Sequence, residues 1–146
     1  MAKRIIRIVL EVLSLIVLLG TIMFLILYWR HLPDQVPAHY DARGQIDGWG
    51  GKGVLFFEPI MMLALYVTFS LSKTPRFRSM GKEVRAPAPV LLFPAMKLVL
   101  LAGLGYMTVC TALARSLGAW FLPVFLTLEF VPLIAFTVYA AKNRLI

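Results

Sequence analysis

The chain has 146 residues, 60% hydrophobic and 15% charged, with a formal net charge of +8 and a mean hydropathy of +0.83. That apolar share exceeds a soluble domain's and predicts a single polytopic membrane domain, 1–146. One cysteine, Cys110, set in an apolar run, excludes a disulfide framework and a thiolate zinc site, and basic residues gathered at the edges of apolar runs argue for topology signals over nucleic acid.

The first predicted element is a helix over 5–29. Lys3, Arg4 and Arg7 precede it, as they would a signal peptide, yet Val12 to Trp29 is free of charge. That run is too long for a signal core, and no small-residue cleavage site follows it. A retained membrane helix is therefore expected, with Tyr28 and Trp29 as interface aromatics at its far end.

A polar loop, 31–53, comes next. It holds both histidines, three of the seven acids and five of the ten glycines. Pro33 and Pro37 fix φ and bias their predecessors toward extended backbone. Asp41-Ala-Arg-Gly44 has the form of a turn, with Asp bonding its own backbone and Gly free to take positive φ. A short β-hairpin around residues 40–46 is predicted, folded on Tyr40, Ile46 and Trp49.

Leu32-Pro33-Asp34, Pro37-Ala-His39-Tyr-Asp41, Gly44 and Asp47-Gly-Trp49-Gly-Gly-Lys52 together resemble a known signature. It is the LPxxIPxHxNxxGxxDxW pattern of a bacterial membrane family of unknown function, one that includes the N-terminal part of SdpI-type toxin-immunity and signalling proteins. The likeness covers about twenty loop residues and their flanking helices. This chain departs from it at Asp41, where Asn is usual, and is shorter than the six-helix immunity proteins. The resemblance implies an accessory protein of the immunity or signalling kind, recognising an extracytoplasmic peptide, lipid or envelope ligand. The binding residues it implies are His39, Asp41, Gly44, Asp47, Trp49 and Lys52.

Three more helices are predicted, over 54–72, 88–114 and 117–141. Each is long enough to cross an apolar layer about 30 Å thick. Glu58 and Pro59 fall in the first turns of the second, where a proline is tolerated and a carboxylate faces the positive helix end. The basic connection at 73–87 reads as a solvated loop near anionic headgroups, with docking of a cytoplasmic regulator as the sharper alternative. The fold class expected is an all-α bundle of four membrane helices capped by the motif loop.

Orientation follows from the basic residues. Ten of them (Lys3, Arg4, Arg7, Lys73, Arg76, Arg78, Lys82, Arg85, Lys142 and Arg144) fall on one side, against Arg30, Arg43, Lys52 and Arg115 on the other. The positive-inside rule places both termini in the cytoplasm of a bacterial cell and the motif loop outside.

Glu11, Lys97 and Glu129 lie within apolar spans, where each ionised group costs roughly 3 kcal/mol on insertion scales. Counted from the cytoplasmic ends of their helices, Lys97 is ~14 Å deep and Glu129 ~18 Å, which suggests an ion pair. Glu11 is shallower and could snorkel. Glu11, Ser14, Leu18 and Thr21 share a helix face, and Ala102, Gly105, Thr108 and Thr111 form a stripe of small residues. Pro94 and Pro132 each free a carbonyl, of Val90 and Leu128, as a transport path would require. A structural salt bridge with ordinary proline kinks explains the same residues.

In the loop, His31, Asp34, His39, Asp41 and Asp47 are suitable ligand types for a divalent cation, though no tight His-x-x-x-His spacing joins them. The plainer alternative has Asp41 and Asp47 capping turns, His39 bonding backbone and Trp49 anchoring at the lipid interface. No serine lies in the His39 loop and no base lies near Cys110 in sequence, so no catalytic residue is assigned. Three classes of function remain: ligand recognition through 32–52, a small oligomeric transporter using Glu11, Lys97 and Glu129, and a metal-dependent enzyme using His39, Asp41 and Asp47. Ligand binding alone, ion-coupled flux in liposomes, and bound metal in the purified protein distinguish them.

The orientation is directly testable. With Cys110 replaced by Ser, a cysteine at Gln45 reacts with an impermeant maleimide added outside intact cells, and one at Ser79 does not. The reverse pattern inverts the topology.

Overall fold

A computed structural model describes residues 1–71 and 91–142. The basic connection expected at 73–87 lies outside the described residues, as does the tail beyond Lys142. Helix α1 (Ala2–Tyr28) runs into a 3-10 turn, Trp29–His31, and then a hairpin of β1 (Gln35–Tyr40) and β2 (Ile46–Gly51). A second 3-10 turn, Lys52–Phe56, leads into α2 (Phe57–Leu71), followed by α3 (Leu92–Ala112) and α4 (Phe121–Lys142). The described residues contain four helices long and apolar enough to cross a membrane, counting the flanking 3-10 turns.

Two of the differences from the expected helix ends come from the hairpin. Residues 54–56 do not open α2 but belong to the 3-10 turn that closes the strands. The last helix starts at Phe121 rather than Leu117, because the Leu117 amide donates to Gly44 O at 2.8 Å. Left-handed backbone at Ala114 (φ 50) and Gly118 (φ 87) makes the α3–α4 connection a true loop.

Helix α3 is the axis of the bundle. It packs against α1, α2 and α4, and α1 packs in addition on α2. Small residues allow the approach: a Cβ on Gly105 would lie 2.8 Å from Thr21 Oγ1, and one on Gly103 only 2.3 Å from a ring carbon of Phe125. Of the expected small-residue stripe, Gly105, Thr108 and Thr111 are buried while Ala102 is exposed. Steps of three residues drift by about 60° each on a helix of 3.6 residues per turn, which carries Ala102 off the contact face.

On α1 the buried stripe is Ser14, Leu18, Thr21 and Leu25. Its hydroxyls are satisfied within the helix, Ser14 donating to Leu10 O at 2.7 Å and Thr21 to Val17 O at 2.9 Å. Such back-bonding removes them as a hydrogen-bonded path. Pro94 lies in the first turn of α3, where no helical bond is lost, whereas Pro132 lies inside α4.

The expected pairing of Lys97 with Glu129 is not what forms. Lys97 is fully buried and donates through Nζ to Glu11 Oε2, with its ammonium 4.3 Å from the centroid of the Tyr66 ring. Because α1 and α3 run in the same direction, Glu11 and Lys97 reach the same depth, far from the hairpin. The contact thus links α1, α2 and α3 through an ion pair and a cation–π interaction. Glu129 is 6% exposed on α4, with Oε1 lacking a hydrogen-bond partner among the described residues.

Breaking this pair on one side leaves a buried charge unpaired, so Lys97→Met or Glu11→Gln alone should cost about 3 kcal/mol. The double change should recover most of that loss in thermal melts of the detergent-solubilised protein. Simple additivity would show that the two residues do not interact.

Candidate functional site

The hairpin is built by its turn and its proline. Strand β1 pairs antiparallel with β2, setting Gln35 opposite Gly51, Val36 opposite Gly50, Pro37 opposite Trp49, His39 opposite Gly48 and Tyr40 opposite Ile46. Ala38 is left without an opposite residue, so the strand bulges there. At the tip, Asp41 Oδ1 accepts the amides of Arg43 and Gln45, both at 2.8 Å. The Gly44 amide donates to Asp41 O at 2.9 Å. Gly44 has φ 70, the left-handed conformation that this turn demands and that glycine adopts without cost.

The root of the hairpin is apolar. Leu32, Val36 and Leu55 are buried with Leu25 and Ala112, so the Leu-Pro and Val-Pro parts of the motif act as a plug into the bundle end. Trp29 packs on Phe56 with ring centroids 5.1 Å apart. The tip is held by polar contacts to the α3–α4 connection. Besides Gly44 O accepting from Leu117, Ser116 Oγ donates to Gln45 Oε1 at 3.1 Å. The Tyr40 hydroxyl lies 3.2 Å from both Thr111 Oγ1 and Arg115 O. Burial raises the Tyr40 pKa above the ordinary phenol value, outweighing the opposing bond with Thr111. The hydroxyl therefore stays protonated at neutral pH and can donate.

The six motif residues singled out in the sequence serve several ends. His39 Nδ1 and Asp47 Oδ1 lie 2.5 Å apart, as an exposed pair across the strands. Lys52 Nζ reaches Asp34 Oδ1 at 3.1 Å, tying together the two ends of the hairpin. Asp41 and Gly44 make the turn, and Trp49 is 56% exposed. Among the described residues, no group of three His, Cys, Asp or Glu side chains is placed to hold a metal ion. Asp41 Oδ1 is occupied by the turn amides, which parts it from His39 and Asp47 as a ligand set.

Beneath β1 lies a cavity of about 280 Å³. Residues 37–40 roof it, and Met107, Leu117, Phe121, Leu122, Phe125 and Leu126 line its sides. It reaches the surface where His39 and Leu126 are exposed. Glu58, in the first turn of α2, also lines it. Glu58 is 7% exposed, and its Oε2 has no hydrogen-bond partner among the described residues. An unsatisfied buried carboxylate is costly, and in a cavity it marks where a polar group of an occupant would sit. Sequence reasoning took Glu58 for a helix-end carboxylate. Its signal was there all the same: an acid six residues after the last motif position, Lys52, in the first turn of an apolar span.

A family model described as a domain of unknown function, DUF1648, matches residues 15–63. The matched stretch runs from within α1 through the hairpin into α2 and contains Glu58, but does not reach α3 or α4. No curated protein and no solved structure matches the chain.

Docking of the hairpin can be separated from its exposed chemistry. Gly44→Val should cost at least about 2 kcal/mol, from left-handed strain and from a Cβ that would come 2.7 Å from Gly118 O. Tyr40→Phe should cost about 1 kcal/mol. His39→Ala should leave the melting temperature near the parent's, since that side chain is 73% exposed. Melting curves of the three purified variants check this order.

Proposed function

We propose that the protein is a bacterial membrane accessory protein that recognises an extracytoplasmic amphiphile at its hairpin end. The observation that carries this reading is the largely apolar cavity between β1 and α4 with one buried carboxylate, Glu58, among the described residues of its lining. At about 280 Å³ it lies near the lower edge of the ~300–1,000 Å³ range of small-molecule pockets. An apolar chain fits against Phe121, Leu122 and Phe125, while the polar end of the ligand meets the roof. The His39–Asp47 pair stands at the mouth, with the Asp47 carboxylate holding His39 by Nδ1 and leaving Nε2 for an incoming group.

The basic residues support placing the hairpin outside the cytoplasmic membrane and both termini inside. Immunity against, or signalling of, an envelope-directed amphiphilic toxin is the role that suits such a receptor. The transport reading draws less support. Glu11 and Lys97 neutralise each other, Glu129 lies apart from them, and the hydroxyls of α1 bond within their own helix.

A decyl chain carrying a photoreactive diazirine tests the proposal in lipid nanodiscs. Label should concentrate on residues 121–126 and on Met107, saturate with probe concentration, and vanish in Leu122→Trp, which fills the cavity. His39→Ala should reduce it several-fold with the fold intact. Label spread evenly over the lipid-facing helix surfaces would overturn the reading.

A further inference from the structure

We infer that the occupant of the hairpin cavity carries a primary ammonium on a single hydrocarbon chain, and that Glu58 is the group that selects it. The inference rests on the amphiphile reading above and adds the chemistry of the head group. Three observations support it. Glu58 is more than nine-tenths buried and lines the cavity, yet its Oε2 has no partner among the described residues. Among the described residues no lysine or arginine lines the cavity with it, so no cation of that wall neutralises it. Apart from His39, Tyr40 and Thr111, the other side chains of the lining are apolar, which leaves Glu58 as the one carboxylate among them for a donor-bearing head to reach.

The other polar groups in the lining are already engaged or lie at the rim. The Tyr40 hydroxyl and Thr111 Oγ1 bond each other, and His39 is held at the mouth by Asp47. A carboxylate accepts hydrogen bonds and attracts positive charge, so an ammonium satisfies Glu58 on both counts. An alcohol satisfies only the hydrogen bond, and a carboxylate head would be repelled. A phosphate-free alkylamine and a single-chain lyso-aminophospholipid share the required ammonium, so both are candidate sources.

The test uses the full-length protein in nanodiscs of phosphatidylcholine and phosphatidylglycerol, titrated with decylamine, decanol and decanoate and read by native mass spectrometry. Decylamine should bind at one site at least tenfold more tightly than the other two. Glu58→Gln should bring decylamine down to the affinity of decanol, leave decanol unchanged, and melt no lower than the parent. Lysophosphatidylethanolamine that displaces decylamine identifies a lipid source, and failure to displace it identifies a soluble amine. If none of the three chains binds saturably, the amphiphile reading itself fails. If decanol or decanoate binds as well as decylamine, or Glu58→Gln keeps the preference or lowers the melting temperature, the ammonium inference fails while the cavity remains an amphiphile site.

Discussion

In an apolar layer a backbone amide or carbonyl without a partner costs several kcal/mol, and the architecture of this protein answers that constraint. Four segments satisfy it as helices. The polar residues between α1 and α2 pair their own backbone groups in a hairpin, and at its tip the Gly44 carbonyl accepts the Leu117 amide of the α3–α4 connection. The bond from the Leu117 amide to Gly44 O is the meeting point. It explains why α4 starts late and why Gly44 and Gly118 lie face to face.

The bundle and the hairpin were legible because they rest on local rules. Run lengths of apolar residues fix the membrane helices, and Asp41 with Gly44 specifies the turn through bonds spanning four residues or fewer. The buried face of α1 could be read from its helical spacing. Long-range facts were less accessible. Depth arguments paired Lys97 with Glu129 and left Glu11 at the interface, because depth alone could not say which helix lies against α3 on that face.

The site shows the same division. His39, Asp47 and Lys52 announced themselves as polar residues in a patterned loop; Lys52 and Asp34 lie just beyond the Gln35–Gly51 pair, whereas His39 faces Gly48 and meets Asp47 only through the irregular register beside it. Glu58 did not, because a carboxylate in a first helical turn already has a sufficient explanation in the helix dipole. Only the surrounding walls, contributed by α3 and α4 more than forty residues later in the chain, turn that ordinary position into a cavity lining. Function is least visible in sequence where one common residue acquires its role from distant neighbours.

The Glu11–Lys97 contact also bears on how the chain is made. Helix α3 has the lowest mean hydropathy of the four spans, 1.6 against 2.7 for the segment containing α1. It carries a fully buried lysine as well. Leaving the insertion machinery alone, α3 would expose that charge to lipid at a cost of roughly 3 kcal/mol. With α1 already resident and its carboxylate waiting at the matching depth, the lysine can enter as half of a neutral pair. The acid that neutralises the lysine of α3 thus lies on the helix made first, so acid precedes base in the order of synthesis.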